Sequence, residues 1–285
     1  MGHEFTYYMD RREDEATLIE RMSNADVAVI SNIKLPATVL SQCTKLRYLS
    51  VGFTGLDHID LEYCKAHNIA VQNAAGYSTT AVSELAVGMM LDLLRGVTTM
   101  DGVIRQGKER GTFLGRELRG KTVGVVGTGA IGTATIRLLL AFGAKVIAYS
   151  RTEHPEVKAL GVQYMPLNAL LQQSDIVSLH TPLTAETRGL IGKEQIAQMK
   201  PTALLVNTAR GPVCNIAAVA AALREGRIAG AAFDVFEQEP PLPLDHPLLS
   251  APNCLLTPHV AFATEESFAA RADIVFGHID DWLKA

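Results

Sequence analysis

Hydrophobic positions in this 285-residue chain cluster into short runs with helical patterns between them. Asp26-Val-Ala-Val-Ile30, Leu46-Arg-Tyr-Leu-Ser-Val51 and Ile69-Ala-Val71 are brief and β-branched, as buried parallel strands are. Between them the spacing predicts helices over residues 13–23, 36–43 and 60–67. Residues 78–95 differ. Ser78 is a candidate cap, the residues after it are apolar on most faces, and Arg95-Gly96 is a natural stop. A helix so apolar is buried widely, which places it between domains or between subunits. A second set of strands is expected at Thr122-Val-Gly-Val-Val126, Lys145-Val-Ile-Ala-Tyr149, Asp175-Ile-Val-Ser-Leu179, Ala203-Leu-Leu-Val206 and Ala229-Gly-Ala-Ala-Phe233, each leading into a helical pattern or a Pro/Gly-rich loop. This alternation implies an α/β fold of doubly wound parallel sheets with helices on both faces. Phe268, Ala272, Val275, Phe276, Ile279 and Trp282 mark one stripe of a terminal helix, expected to fold back onto the first domain.

Composition narrows the function classes. The chain is 48% hydrophobic and 20% charged, ordinary for a globular protein long enough for two modest domains. A formal charge of -4 without a Lys/Arg run argues against a nucleic-acid partner. A polar N-terminus, and no apolar run near the roughly 20 residues of a membrane span, argue against a membrane and for a cytoplasmic location. Cys43, Cys64, Cys214 and Cys254 lie far apart with no metal-type spacing, so free thiols in a reducing compartment and no metal site are expected.

The segment Gly127-Thr128-Gly129-Ala130-Ile131-Gly132 leaves a predicted strand and opens a helical pattern running to Phe142. That order suits a dinucleotide. The first glycines permit a tight turn and close approach of phosphate, and the third lets helix and strand pack. The pyrophosphate then sits over unpaired N–H groups at the positive helix end. An NAD site usually carries an acidic residue at the end of the next strand, to accept from the ribose 2′-hydroxyl. Here that position reads Ser150-Arg151-Thr152, a cation and two hydroxyls suited to a 2′-phosphate. NADP(H) is therefore favoured, with NAD(H) as the other cofactor this turn accommodates.

Ligands of doubly wound sheets collect at the carboxyl ends of strands. Arg210, Asp234 and His180 each follow a predicted strand. A 2-oxo acid needs a permanently charged planar fork for its carboxylate, which Arg supplies. Reduction of its carbonyl needs a proton donor poised near neutral pH, which favours His. His259, after Pro258, lies between an apolar run and the last helix. A carboxylate beside it favours the imidazolium, the form that protonates an alkoxide. Spacing does not choose among Asp234, Glu237 and Glu239 as that carboxylate.

Together these residues resemble the D-isomer-specific 2-hydroxyacid dehydrogenase family, from about Asp26 to the C-terminus. The resemblance is carried by the Gly127–Gly132 turn, His180-Thr181-Pro182-Leu-Thr184, Met199-Lys-Pro, Asn207-Thr208-Ala209-Arg-Gly211, Gly230-Ala-Ala-Phe-Asp-Val-Phe236 and Thr257-Pro-His259. It implies that Arg210 binds and polarises the substrate, that His259 is the general acid/base, and that Glu239 is its partner. It assigns Asp234 to the nicotinamide carboxamide and the further cofactor contacts to His180, Thr181, Pro182, Thr208 and Ala209. The family's carboxylate-binding loop matches Val51-Gly-Phe-Thr54-Gly55, with the N–H groups of Thr54 and Gly55 facing the anion, and its tyrosine matches Tyr77. The implied architecture is a flavodoxin-like substrate domain (1–95 with 264–285) embracing a central Rossmann cofactor domain (96–263), with catalysis in the cleft. It also implies a homodimer with helix 78–95 at the interface. Family members usually open with a strand and helix before the segment matching Phe5-Thr-Tyr-Tyr8, so a gap inside the first sheet, or a rearranged first domain, is expected here.

The leading expectation is an NADP(H)-dependent reductase of small 2-oxo acids to D-2-hydroxy acids, with glyoxylate, hydroxypyruvate or pyruvate as substrate type. The alternatives are an NAD-dependent phosphoglycerate dehydrogenase-type enzyme and a non-catalytic dinucleotide sensor like the C-terminal-binding corepressors.

Overall fold

The computed structural model describes residues 2–284. Contacts divide the chain into two units: residues up to Tyr77 together with those from Glu265 onward, and Ser78–Thr264.

In the first unit α1 (Glu15–Met22), β1 (Val27–Ile30), α2 (Ala37–Leu40), β2 (Tyr48–Val51), α3 (Leu61–Ala66) and β3 (Ala70–Asn73) alternate. Asp14 caps α1 by accepting from the Thr17 N–H at 3.0 Å, and Asp60 caps α3 by accepting from the Tyr63 N–H at 2.9 Å. The strands are parallel in the order β1-β2-β3, with Ile30, Val51 and Asn73 in register. β2 is central and buried along its length, which is why its sequence is a continuous run rather than an alternation. Residues 2–9 lie outside the sheet, with Phe5 and Tyr7 each 71% exposed. Among the described residues the expected gap inside the sheet is therefore absent: the strands are consecutive neighbours, and β1 and β3 are its edges.

The second unit contains α4 (Thr79–Arg95), α5 (Val97–Arg105), β4 (Thr122–Val126), α6 (Ala130–Ala141), β5 (Lys145–Tyr149), α7 (Pro155–Lys158), β6 (Gln163–Tyr164), α8 (Leu167–Gln173), β7 (Ile176–Leu179), α9 (Lys193–Gln198), β8 (Leu204–Asn207), α10 (Ile216–Arg224), β9 (Gly230–Phe233) and β10 (Cys254–Leu256). Its parallel seven-stranded sheet has the order β10-β9-β8-β7-β4-β5-β6. Alternate residues feed two cores. Val123, Val125, Ile176, Leu204 and Val206 join Met90, Leu94, Ile136 and Leu139 on one side. Val126, Val177, Leu179, Leu205 and Phe233 join Leu170, Ile196 and Val219 on the other. Two buried faces explain the unbroken apolar strands.

α4 lies among the residues of the first of these cores and contacts α6, β8 and β9. The unit boundary therefore falls before this helix, whereas the sequence reading placed residues 78–95 with the substrate domain. All-round apolarity signals that a helix is buried but not against what. α5 is an element the sequence reading did not contain. It follows α4 directly after Gly96, whose left-handed φ of 61° ends one helix and starts the next.

α11 (Glu265–Lys284) belongs to the first unit and packs on β2. Trp282 stacks on Tyr48 with centroids 5.1 Å apart, and Val275 lies over Gly52. The apolar stripe is split, because Phe268 and Phe276 remain 44% and 56% exposed. If Trp282–Tyr48 is the main anchor of this helix, Trp282→Ala should destabilise the first unit by about 2 kcal/mol in denaturant unfolding. A change within about 0.5 kcal/mol, the size of an ordinary surface substitution, would show that the stack contributes nothing.

Candidate active site and dinucleotide cradle

The turn after β4 has little room to vary. Gly127 sits at φ 94°, and a Cβ there would stand 2.7 Å from the His180 carbonyl oxygen. A Cβ on Gly132 would stand 2.0 Å from the Gly127 oxygen, so only glycine lets α6 approach the turn this closely. Gly129 instead faces open space as the N-cap residue of α6, with Ala130 and Ile131 in the first turn. A cavity of about 410 Å³ opens here, lined by Thr128, Gly129, Ala130, Thr133, Arg137 and His154 among others. Thr128 is buried, and its hydroxyl accepts from Tyr164 Oη at 2.8 Å. Ser150 is half-buried after β5, and Arg151 and Thr152 are exposed.

Three buried polar atoms around this cradle lack a partner among the described residues: His180 Nδ1 and Thr181 Oγ1 after β7, and Thr208 Oγ1 after β8. His180 Nε2 lies 2.9 Å from Ser178 Oγ, and burial pulls its pKa down to about 4, so the ring is neutral near pH 7. A buried unsatisfied polar group costs about 1–3 kcal/mol, and a polar ligand removes that cost. With the open helix end, these atoms fit the hydroxyls, amide and phosphates of a nicotinamide dinucleotide. Pro182 and Ala209 flank them, and the Ala209 N–H is held by Asn207 Oδ1 at 3.0 Å.

Arg210 and His259 follow turns anchored on neighbouring strands. The buried Asn207 closes the first turn by donating from Nδ2 to the Arg210 carbonyl at 3.0 Å. Arg210 Nη1 donates to the Ala209 carbonyl at 2.9 Å. Gly211 lets this turn lie against Phe236, whose carbonyl carbon would be 2.0 Å from a Cβ.

The second turn depends on Asp234, which is fully buried just after β9. Its Oδ1 accepts from Thr257 Oγ1 at 2.5 Å and from the Val260 N–H at 2.8 Å; its Oδ2 accepts from the Ala261 N–H at 2.9 Å. Burial raises the Asp234 pKa, while these donors and the nearby His259 oppose the rise. Between the clamped residues, His259 takes φ 54°, a left-handed conformation uncommon for a non-glycine residue.

The three acids that spacing left open have separate tasks. Glu239 faces His259, with Nδ1 at 2.9 and 3.0 Å from its two oxygens. Glu237 faces His246 at 3.3 Å. Asp234 holds the turn by accepting from Thr257, Val260 and Ala261. Thr257 is the residue that sequence reasoning missed in this role; a hydroxyl two positions before His259 was the available signal.

In the first unit, Thr54 and Gly55 occupy the loop after β2, and their N–H groups have no acceptor among the described residues. Asn73 Nδ2 steadies the loop by donating to the Thr54 carbonyl at 2.6 Å. Tyr77 is buried, with its ring 6.5 Å from that of Phe53. Among the described residues no His/Cys/Asp/Glu group has metal-site geometry, and no helix is long and apolar enough to cross a membrane.

Residues 87–261 match the family described as D-isomer specific 2-hydroxyacid dehydrogenase, NAD binding domain. The chain belongs to the D-isomer-specific 2-hydroxyacid dehydrogenases. A glyoxylate reductase of Korarchaeum cryptofilum is 40% identical over 94% of this chain and 84% of its own length. The D-lactate dehydrogenase of Aquifex aeolicus, solved with NAD and lactic acid, superposes with a TM-score of 0.87 at 32% identity over 93% of this chain and 85% of that one. An acyclic imino acid reductase solved with NADPH and D-Arg gives a TM-score of 0.88 at 29% identity over 95% and 87%. The protein is thus an NAD(P)-dependent oxidoreductase acting on the CH–OH group, and its relatives support 2-oxo acid reduction.

If the cradle binds the dinucleotide, Gly132→Ala should weaken NADPH and NADH binding by roughly 100-fold in a fluorescence titration. Unchanged affinity would place the cofactor elsewhere.

Proposed function

We propose that this dehydrogenase reduces small 2-oxo acids of the glyoxylate, hydroxypyruvate and pyruvate type to D-2-hydroxy acids, with NADPH as the preferred reductant. The observation that carries the reading is the His259–Glu239 pair, set in a turn clamped by Asp234 in the unit that holds the dinucleotide cradle. The bound nicotinamide supplies the hydride. His259 gives its proton to the carbonyl oxygen as charge develops there. Glu239 fixes the Nδ1–H tautomer and stabilises the imidazolium, which assigns proton transfer to Nε2. Within the second unit Arg210 offers the fixed fork that holds a substrate carboxylate and polarises the carbonyl; within the first unit the N–H groups of Thr54 and Gly55 suit an anion.

NADPH is favoured because Ser150, Arg151 and Thr152 put a cation and two hydroxyls where an NAD site usually carries an acid. The next acid, Glu153, is ion-paired to Lys158 at 2.6 Å. A homodimer fits the apolar surface on and beyond α5, where Val97, Ile104 and Leu114 are 61%, 68% and 81% exposed.

The test is oxidation of NADPH and NADH in parallel against glyoxylate and hydroxypyruvate, with the wild type and Arg151→Ala. The expected result is turnover that favours NADPH, and a preference that falls at least roughly tenfold in the variant. An unchanged cofactor ratio would remove Arg151 from the 2′-phosphate site. No turnover with intact dinucleotide binding would instead favour the corepressor-like sensor.

A further inference from the structure

Within the first unit, the loop carrying Thr54 and Gly55 lies beside a cation that the family motifs do not include. Arg271, on α11, packs its stem over Gly52, with Cδ 3.6 Å from where a glycine Cβ would stand. Its guanidinium carbon lies 4.3 Å from the Phe268 ring centroid and 5.7 Å from that of Tyr77. Phe268, Arg271 and Val275 share one face of α11 at helical spacing. A Cβ on Gly52 would stand 3.6 Å from Arg271 Cδ and 3.7 Å from Val275 Cγ2, ordinary contact distances, so both side chains lie directly over this residue.

This guanidinium has few partners. It makes one hydrogen bond, a long one of 3.4 Å from Nη1 to the Gly52 carbonyl, and no carboxylate lies within ion-pair distance among the described residues. A half-buried cation between two rings, without a counter-ion, gives up hydration that cation–π contact replaces only in part. Most of its five N–H donors remain available, in a planar fork that matches a carboxylate or phosphate. Anchoring α11 does not require the charge, because Val275 and Trp282 already pin the helix to the sheet.

We propose that Arg271 receives a second anionic group, a carboxylate or phosphate, at the distal end of the 2-oxo acid. It would thereby select dianionic substrates over neutral-tailed ones. The inference rests on the reductase reading for its substrate class: within the first unit the Thr54 and Gly55 amides take the carboxylate next to the carbonyl, and Arg271 is the cation left over. Tyr77 and Phe268 orient the fork by stacking on it.

The experiment is calorimetric binding to the protein saturated with oxidised nicotinamide cofactor, so that affinity is read without turnover. Oxaloacetate is compared with 2-oxobutyrate, and 3-phosphohydroxypyruvate with hydroxypyruvate, in the wild type, Arg271→Met and Arg271→Lys. The wild type should bind at least one dianion roughly tenfold more tightly than its neutral-tailed counterpart. Which pair shows the preference identifies the group as carboxylate or phosphate. Arg271→Met should abolish the preference, and Arg271→Lys should keep part of it. Equal wild-type affinities within both pairs, or a preference that survives in Arg271→Met, would overturn the proposal; the first of these needs no variant to fold. Turnover of the same acids with reduced cofactor is scored separately. A dianion preference without turnover would defeat the reductase reading and leave the anion receptor standing.

Discussion

The site depends on a buried carboxylate that does no chemistry in this account. Asp234 gathers three donors from the turn at residues 257–261 and holds His259 in a left-handed conformation. A non-glycine residue in that region costs about 1–3 kcal/mol. Hydrogen bonds to a charged acceptor are worth about 1.5–3 kcal/mol each, so three of them outweigh the strain. Burial raises the cost of ionising Asp234 and ties its charge to these donors. Asp234 also donates its N–H to the Asn207 carbonyl at 3.1 Å, so two adjacent buried polar residues end β8 and β9. Asn207 closes the turn bearing Arg210, and Asp234 closes the turn bearing His259. Within this unit, Arg210 and His259 are thus held by neighbouring strand ends.

Around that pair the sheet works as rigid support. β4, β7, β8 and β9 are buried on both faces, and their side chains alternate between two cores. Such strands do not slip, because a shift of one residue would exchange the contents of both cores. The ligand-facing groups therefore collect at the carboxyl ends, where the ladder stops and backbone turns begin. Glycines at 127, 132 and 211 are required there by contact distance, since each would place a Cβ within 2.7 Å of another backbone atom. His180, Thr181 and Thr208 keep polar atoms buried and without a partner among the described residues around the same turn, a cost that a polar ligand there would remove.

Much of this was legible in the sequence. The second set of strands and the nucleotide turn appear because continuous β-branched runs and fixed glycine spacing have one ready structural meaning. The partner of His259 was not legible from spacing, because Glu239 stands 20 residues before it and a loop decides the contact. β6, only two residues long, carries no periodicity to read. α5 was missed because a single left-handed Gly96 separates it from α4, and one glycine reads as a stop rather than a corner. The allegiance of α4 was hidden for a different reason: an apolar surface does not name its partner. Arg271 is not legible as a ligand group in the sequence, because it sits within the apolar stripe of the terminal helix. The i, i+3 pair of Phe268 and Arg271 was the signal available.

The most direct test of the account is turnover by His259→Asn with glyoxylate and reduced cofactor, measured beside dinucleotide affinity. Asparagine tolerates the left-handed backbone at this position, so the substitution removes the imidazole and spares the turn. With His259 as the proton donor, kcat should fall by roughly 10²–10⁴ with cofactor affinity unchanged. Undiminished turnover would show that the proton comes from another group, and that the Asp234 clamp serves the fold and not the reaction.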